Sequence, residues 1–596
     1  GLMWRLGRGL SGRWWRYTVL VLVVGCPHVY APLLRGYPDV LGLGVIALVM
    51  FFTGTLDDHR AFRPARAAGL AVLLLLLVFI RRWYAFWVLG LLLTLGTMQL
   101  VAALREGAAG RHRLVGFAAN MAVTGLVALS VLWLWFRPFL LRGVGLNYRE
   151  IYAGYRQSTL LANFVSVGHW LGLLPVAGAV LGFLWGCTGR SPERRRLVIL
   201  FAGTGLLAAL LFFRVQSMGI QHRYLVVPSV LGLLGMFLVG LFERCRTPRA
   251  QAAATLAVAA CVAVAAGRMF VREWERPFAR LAPLLGRERC YPLVRTDLPM
   301  LERLAADLQA RLAAAADVRP LYVLASSEVL NEDCLRRICM PEKLAAFPHQ
   351  LRTAEVDRRD GFPNAFLAAR YVVVGRPVQL HMRPEEQRVI TELAEPLLSG
   401  AGFGRHYRRL VAYPLDGGVT AELYERVEPW EPNEIEALAE RMRRAYPDKP
   451  QLYTLSQVFG RMTDITLGEA GGEIRWIGSD SVFLHPGARG PSGFTLRLDG
   501  RYRRLTFTAT FDNLPTLAGR PPTEAEVGLT VLADGRELAH HAVTRETVRQ
   551  LELPVARVRE VRLQVDAGAH GPVGDWFLFQ GLRLEPEPPD EPARRP

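Results

Sequence analysis

Residues 115–136 read VGFAANMAVTGLVALSVLWLWF and contain no charged side chain. A helix of this composition is apolar on every side, whereas a surface helix of a soluble protein keeps one polar face. Its length matches the roughly 20 apolar residues needed to cross the hydrocarbon of a membrane. The runs 166–185, 197–213 and 225–242 have the same character. The sequence up to residue 267 therefore predicts a polytopic α-helical membrane domain.

Short arginine clusters separate about nine apolar runs, each a predicted span. We place the spans at 17–34, 39–54, 68–80, 84–103, 115–136, 165–186, 197–214, 225–242 and 251–267. Every second loop is rich in arginine, and the positive-inside rule assigns those loops to the cytoplasm. An odd number of spans then carries the chain from a cytoplasmic N-terminus to an extracytoplasmic C-terminal half. We expect a multi-pass protein of the cell membrane.

The first predicted domain covers residues 1–267. The chain after it is more polar, and its composition changes several times. Residues 268–317 predict a juxtamembrane helical segment, and the alternation of short strands with a helix in 318–428 predicts a small external α/β domain. Residues 429–469 combine proline with charge and predict a linker with helices. Eight strand-like runs within 470–585, separated by tight turns, indicate a β-sandwich of jelly-roll type. The tail, 586–596, is predicted to be disordered.

The formal net charge of +18 does not indicate nucleic-acid binding. Much of the excess is the arginine that sets the membrane topology, and no basic stripe interleaved with aromatic residues is present in the sequence. The seven cysteines contain no CxxC pair, so neither a zinc site nor a disulfide framework is indicated. We expect membrane lipid as a partner and no nucleic acid.

Two external loops carry the first candidate site residues. Asp39 places a carboxylate at the outer mouth of the second span, where it either caps the helix or binds a metal or a lipid-linked phosphate. Arg81 and Arg82 lie on the external side against the positive-inside trend. A guanidinium fork suits a phosphate, and the alternative is simple anchoring to lipid headgroups.

Two further external segments combine basic, aromatic and polar side chains. The segment before the eighth span suits contact with an anionic leaving group or forms an interfacial belt. The loop 137–164 suits a substrate-facing lid or an amphipathic interfacial helix. The candidate residues are His222, Arg223 and Tyr224 in the first segment, and Tyr148, Arg149, Glu150 and Arg156 in the second.

The order of these motifs resembles that of the GT-C class of membrane glycosyltransferases, over residues 17–267. The matching features are Pro32 followed by Tyr37-Pro38-Asp39, the basic-aromatic break Arg81–Tyr84, and His222–Tyr224 before a span. Such enzymes take a sugar from a polyprenyl-phosphate carrier on the non-cytoplasmic face. The resemblance implies an inverting transferase with Asp39 as the catalytic carboxylate. It assigns the donor phosphate to Arg81, Arg82, His222, Arg223 and Tyr224.

One departure from the GT-C pattern concerns the catalytic base. The family carries an Asp or Glu in its first external loop, whereas here that loop is short and Asp39 is its only acid. We expect either that a pair of spans precedes Gly1 in a longer protein, or that the chain is inactive or a partner subunit. No glycine-rich phosphate loop follows a strand, so the expected donor is lipid-linked. A divalent metal cofactor stays open, and no metal ligands are assigned.

The last domain resembles the novel putative carbohydrate-binding module, NPCBM, over residues 475–585. The matching runs are His485-Pro-Gly, Gly493–Phe507, Val531–Arg536, Val561–Val565 and Asp575-Trp576-Phe. The resemblance implies a galactose-binding-like jelly roll that binds sugar through loop residues. His485, Asp534 and Trp576 are the candidates, with packing and turn formation as the alternative for each.

These observations favour a membrane glycosyltransferase that transfers a sugar to an extracytoplasmic acceptor, which is a glycan, lipid or protein of the cell envelope. The alternative is a non-catalytic membrane protein that presents a carbohydrate-binding module, or a subunit for polysaccharide export. A transporter is disfavoured because charges inside the spans are nearly absent from the sequence.

The topology can be tested with a reporter fused near residue 300. We expect periplasmic alkaline phosphatase to be active at this position, because an odd number of spans places it outside the cell. Green fluorescent protein, which fluoresces in the cytoplasm, serves as the reciprocal fusion. Fluorescence at residue 300 would reverse the side to which every external loop has been assigned.

Overall fold

The fold is that of a computed structural model, in which the chain divides into two compact units, Gly1–Val294 and Arg295–Pro596. The structure describes residues 14–586, apart from 35–36, 38–39, 56–60, 108–109, 146, 157, 190, 291–294, 315–318, 339–349, 429, 454–456, 470–471, 478–480, 512–525, 569–570 and 572–574. The predicted disordered tail lies outside the described residues, apart from Pro586.

The first unit is built from helices. They are α1 (Trp14–Gly25), α2 (Pro27–Leu34), α3 (Val40–Thr55), α4 (Pro64–Ile80), α5 (Tyr84–Glu106), α6 (Gly110–Trp135), α7 (Arg137–Gly145), α8 (Tyr148–Ile151), α9 (Leu160–Leu171), α10 (Leu173–Thr188), α11 (Pro192–Phe213), α12 (Val227–Arg244), α13 (Pro248–Phe270) and α14 (Ala282–Leu285). Short 3-10 turns at Ala153–Tyr155, Ile220–Leu225, Arg272–Trp274 and Ala279–Leu281 join some of them.

Six helical stretches of the described chain are long and apolar enough to cross a membrane, or seven if the bent pair α9–α10 is counted as one span. Two shorter apolar helices cover Val40–Thr53 and Pro64–Ile80. The prediction of several membrane-crossing helices is thereby supported. The count of nine spans stays a prediction.

Several of these helices begin where the sequence supplies a capping side chain. The hydroxyls of Thr159, Ser191 and Thr247 accept hydrogen bonds from backbone N–H groups in the first turns of α9, α11 and α13, at 3.3, 3.4 and 3.2 Å. Pro192 and Pro248 occupy the first helical positions, where their lack of an N–H group has no cost. The same short motif therefore starts two of the long apolar helices.

The sharpest bend of the first unit lies between α9 and α10, whose axes differ by 104°. Gly172 stands at the bend with a φ of 91°, and Gly286 packs against it with a φ of 107°. A Cβ atom at either position would collide with backbone atoms of the other segment. Glycine is required here because two backbones approach each other and both have positive φ.

The predicted juxtamembrane helix, 268–317, is interrupted in the structure. After α13 the chain forms short turns and α14, and a separate helix, α15 (Leu298–Ala314), belongs to the second unit. The leucines of α15 at 301, 304, 308 and 312 are buried in that unit. The helical pattern predicted from these leucines therefore describes a soluble amphipathic helix.

An α/β layer opens the second unit. Its remaining elements are β1 (Leu321–Leu324), α16 (Glu332–Ile338), β2 (Leu351–Arg352), α17 (Asp357–Asp360), α18 (Asn364–Ala368), β3 (Tyr371–Arg376), α19 (Arg388–Ser399), β4 (Tyr407–Pro414), β5 (Thr420–Arg426) and α20 (Pro432–Ala445). The sheet order is β2-β1-β3-β5-β4. Strand β1 runs parallel to β2 and β3, while β5 is antiparallel to β3 and β4.

The two faces of this sheet are covered by different helices. Alternate residues of β1 point to opposite faces, so Leu321 packs with the leucines of α15, and Tyr322 packs with α18 and Trp430. Trp430 is 1% exposed, stacks on Phe403 at 4.3 Å and donates from Nε1 to the Tyr407 hydroxyl at 3.1 Å. The segment 429–469 was predicted as a linker with helices; in the structure its Trp430 and helix α20 pack into this core.

A β-sandwich ends the chain and has ten strands in the described residues. After α21 (Gln457–Arg461) they are β6 (Met462–Thr466), β7 (Glu473–Ile477), β8 (Ser481–His485), β9 (Ser492–Arg497), β10 (Tyr502–Phe511), β11 (Glu526–Ala533), β12 (Arg536–Thr544), β13 (Arg549–Pro554), β14 (Glu560–Asp566) and β15 (Phe577–Pro586). One sheet has the order β13-β10-β15-β8-β7 and the other β12-β11-β14-β9-β6. The predicted strands are present, and β6 and β12 are additional.

The role of Trp430 can be tested by Trp430→Ala. We expect the free energy of unfolding of the second unit to fall by about 3–5 kcal/mol, because a large buried ring leaves a cavity. Urea unfolding of the full chain in nanodiscs, followed by pulse proteolysis, measures it. The matched control is Arg444→Ala, whose side chain is 77% exposed. A loss below about 1 kcal/mol would mean that residue 430 lies in a linker, as its sequence suggests.

Candidate functional site

The turn Arg81–Trp83 between α4 and α5 is the centre of the first candidate site. The Arg81 N–H donates to the Leu77 carbonyl at 3.1 Å, and the Tyr84 N–H donates to the Arg81 carbonyl at 3.0 Å. The Arg81 guanidinium carbon lies 4.9 Å from the ring centre of Trp83 and 5.7 Å from that of Tyr37. Aromatic faces attract a cation through the negative face of the ring.

The second arginine of this turn meets a different loop. The Arg82 guanidinium carbon lies 5.8 Å from the ring centre of Tyr148 in α8. Tyr148 in turn stacks on Tyr152, with centroids 6.4 Å apart and planes 6° apart. The structure thus brings together three candidate residues, Arg81, Arg82 and Tyr148, from two separate predicted external loops.

His222 lies beside the same turn but has another role than predicted. Its ring centre is 4.3 Å from that of Trp83 and 4.6 Å from that of Phe212. Nδ1 accepts a hydrogen bond from the Gly219 N–H at 3.0 Å. Burial, reinforced by the positive charge of Arg81, lowers the pKa of His222 to about 3. His222 is therefore a neutral packing partner of Trp83, where we had predicted a phosphate ligand.

Arg223 and Tyr224 point away from the Arg81 turn, and this corrects their predicted role. Arg223 is buried, forms an ion pair with Glu288 and lies 4.9 Å from the ring centre of Trp170. The Tyr224 hydroxyl donates to the Val29 carbonyl at 2.5 Å. Both side chains therefore join segments of the first unit, and Glu288 supplies the partner that the buried charge of Arg223 requires.

The remaining candidates of the first unit whose side chains are described, Arg149 and Arg156, are not brought to the turn. Asp39 and the side chain of Glu150 lie outside the described residues. Arg149 and Arg156 are exposed, and no contact between them and Arg81 or Arg82 is found in the described chain. Tyr37, two residues before Asp39, is the point at which this loop meets Arg81.

An apolar groove of about 940 Å³ runs along the first unit. It is lined by α1, α3 and parts of α11 and α12, including Val19, Phe51 and Phe201. Val29 and Val40, which flank the loop containing Tyr37 and Asp39, also line it. The groove has the composition required to hold an apolar chain.

In the β-sandwich, two of the three candidate sugar-binding residues come together. Leu484 of β8 pairs with Phe577 of β15 in an antiparallel register, so His485 and Trp576 are the next facing positions, beyond the paired region. Both are partly exposed. They lie at the end of the sandwich where β8 ends and β15 begins.

Asp534 lies at the other end of the sandwich, which corrects its grouping with His485 and Trp576. It has a φ of 48°, and its Oδ1 accepts hydrogen bonds from the Arg559 and Glu560 N–H groups at 3.1 and 2.9 Å. Strand β11 begins at the end that contains Trp576 and leads to Asp534. Its eight extended residues span roughly 26 Å, which separates Asp534 from that end. Asp534 is a turn residue, the alternative left open by the sequence.

Asp575 lies next to Trp576 and was named from the sequence only as part of the motif Asp575-Trp576-Phe. It is fully buried, and neither carboxylate oxygen has a hydrogen-bond partner among the described residues. Burial raises the pKa of Asp575 to about 7; Arg545 opposes the rise, while Asp566 and Glu526 add to it. In the described part of the chain, no group of three His, Cys, Asp or Glu side chains is placed to hold a metal ion.

Residues 486–585 match the family model of the NPCBM/NEW2 domain. This confirms the predicted carbohydrate-binding type of the last domain. The jelly-roll topology and the glycosyltransferase resemblance stay predictions. No curated protein matches the chain.

Solved carbohydrate-binding modules are similar to part of the chain. The CBM51 of Clostridium perfringens GH95, in complex with methyl-galactose, has 20% identity and a TM-score of 0.15, over 20% of this chain and 79% of that one. The CBM51-2 and INT domains of Clostridium perfringens ZmpB have 16% identity and a TM-score of 0.17, and the match spans 21% of this chain and 30% of that structure. The tandem CBM51 modules of Streptococcus pneumoniae Sp3GH98 have 12% identity and a TM-score of 0.18. That match covers 28% of this chain and 55% of that structure.

The buried imidazole of His222 predicts a pH dependence of stability. Its unfolded pKa is about 6.5 and its folded pKa about 3, so below pH 6.5 the unfolded chain binds a proton that the folded chain does not. The stabilisation is complete above pH 6.5 and falls toward pH 3, at up to about 1.4 kcal/mol per pH unit. Thermal unfolding of the first unit from pH 7 to pH 4 measures it. The variant His222→Gln should show a shallower slope than the unaltered protein, and parallel curves for the two proteins would contradict a buried neutral imidazole at residue 222.

Proposed function

We propose that the chain is an inverting membrane glycosyltransferase of the GT-C type. It moves a sugar from a polyprenyl-phosphate carrier to an acceptor hydroxyl outside the cytoplasm. The observation that carries the proposal is the position of Arg81 and Arg82. Both guanidinium groups lie in one turn and against aromatic rings from two other loops. Such a pair suits a phosphate whose charge grows as it leaves.

The reaction requires a base, a nucleophile and a leaving group. The Asp39 carboxylate takes the proton of the acceptor hydroxyl, and the oxygen attacks the anomeric carbon. The bond between that carbon and the carrier phosphate breaks, and the phosphate keeps the electron pair. Arg81 and Arg82 stabilise its charge, and the configuration at the anomeric carbon inverts. The groove beside Val29 and Val40 suits the apolar chain of the carrier.

The C-terminal sandwich supports a second part of the proposal. Its family match suits a glycan-binding module outside the membrane, with His485 and Trp576 as the sugar-contacting pair. A partly exposed tryptophan offers an apolar face, and a histidine offers a hydrogen bond. The same match favours the alternative function, a membrane protein that binds or helps to export a glycan without catalysis.

Transfer from purified polyprenyl-phosphate sugars to envelope acceptors tests the enzyme proposal with the full-length protein in nanodiscs. We expect Arg82→Ala to lower kcat by about 10²–10³, the effect of losing one group that stabilises a developing negative charge. Asp39→Asn should abolish transfer. The matched control is Arg137→Ala, since Arg137 is exposed and also stacks on an aromatic ring, Trp133, at 4.7 Å.

The outcome separates the two functions. If no donor in the panel is used while the protein still binds envelope glycans, the chain is a binding or export protein. If Arg82→Ala and Arg137→Ala reduce transfer equally, the turn at Arg81 is not the phosphate site.

A further inference from the structure

Three turns of the sandwich meet at the end that contains Asp534. They connect β9 to β10, β11 to β12 and β13 to β14. The Leu498 N–H donates to the Arg559 carbonyl at 2.7 Å, and the Gly500 N–H donates to the Val558 carbonyl at 3.0 Å. The Asp534 N–H donates to the Glu560 carbonyl at 2.9 Å. These bonds fix the three turns against one another, so the side chains that they carry form one surface.

Each turn presents exposed arginine to this surface. The residues are Arg501 in the first turn, Arg536 in the second, and Arg557 and Arg559 in the third. We call this set the basic end. Within the described chain, none of the four guanidinium groups has a carboxylate or other side-chain partner.

Two acidic residues of the same end already have partners, and two more, Glu537 and Glu560, are exposed. Asp499 pairs with Arg461 at 3.4 Å and with Arg497 at 3.0 Å. The Asp534 carboxylate accepts backbone N–H groups of the third turn. Among the described residues, neither Asp499 nor Asp534 therefore forms an ion pair with the four arginines of the basic end.

We propose that the basic end binds an anionic glycan, one whose sugars carry carboxylate, phosphate or sulfate groups. A guanidinium offers a planar pair of donors that matches two oxygens of such a group. Four of them on rigid turns present several such pairs at once, and binding at several points reinforces each contact. This site is separate from the pair His485 and Trp576, and it does not depend on glycosyltransferase activity.

A glycan fits the basic end better than a lipid surface does. The four arginines lie within residues 486–585, which match a carbohydrate-binding family model. The three turns have no exposed large hydrophobic side chain that would insert into a bilayer; in the described part of this domain the exposed one is Val548, in the turn between β12 and β13. Interfacial binding normally combines charge with such a side chain.

The test uses the full chain in phosphatidylcholine nanodiscs, with dextran sulfate as the anionic probe and unsubstituted dextran of equal length as its neutral counterpart. We expect the protein to bind dextran sulfate at physiological salt and to release it at 1 M salt. At 1 M salt the Debye screening length is about 3 Å, so exposed charges attract each other only weakly. The combined variant Arg501→Gln, Arg536→Gln, Arg557→Gln and Arg559→Gln should weaken it by about tenfold or more.

A second combined variant changes the net charge equally at another surface of the second unit. It replaces arginines that already pair with carboxylates, Arg358→Gln, Arg441→Gln, Arg443→Gln and Arg444→Gln, and should leave dextran sulfate binding within about threefold. Equal unfolding midpoints of the two variants exclude a folding defect. Equal weakening by both variants, or no binding by the unaltered protein, would overturn the proposal. The proposal would also be overturned if the basic-end variant still bound dextran sulfate and lost only its adsorption to phosphatidylglycerol vesicles.

Discussion

A charged side chain is costly inside hydrocarbon, and the arrangement of the first unit follows from this constraint. Apolar runs form helices because their backbone groups must be hydrogen-bonded within the segment. Arginine lies at the ends of the long helices or in the turns between them, and the buried cation of Arg223 has the carboxylate of Glu288 as its partner. Arg81 and Arg82 then occupy a tight turn between α4 and α5, and the rings of Tyr37 and Tyr148 reach them from other loops. The candidate site is a consequence of where charge can be placed.

Much of the architecture could be predicted because its signal is local. An uninterrupted apolar run defines a helix such as α6, and alternation defines strands such as β10. The signal failed where it was short or polar. β2 has two residues, and β12, which reads RELAHHAVT, lies at the edge of its sheet with a single buried residue. Trp430 stands between prolines and glutamates that are typical of a linker, and only the fold shows that its ring fills a core.

The candidate site was predictable in part, for a related reason. The exceptional arginines at 81 and 82 were visible in the sequence because they break a charge pattern. Their partners were not, since Tyr148 reaches Arg82 only through the fold. His222, Arg223 and Tyr224 are adjacent in sequence and looked like one motif, yet they face three different environments. A 3-10 turn of three residues per revolution spreads neighbouring side chains around its axis.

The ion pair between Arg223 and Glu288 also defines where the membrane unit ends. The last long apolar helix stops at Phe270, but the chain returns to cover its outer surface. Arg268 donates to the Gly286 carbonyl at 2.8 Å, and the Cys290 thiol donates to the Ala31 carbonyl at 3.2 Å. A protein shortened after Phe270 would keep the described apolar helices of the first unit and leave the buried cation of Arg223 without its carboxylate. The packed first unit therefore extends at least to residue 290, beyond the boundary that hydropathy alone suggests.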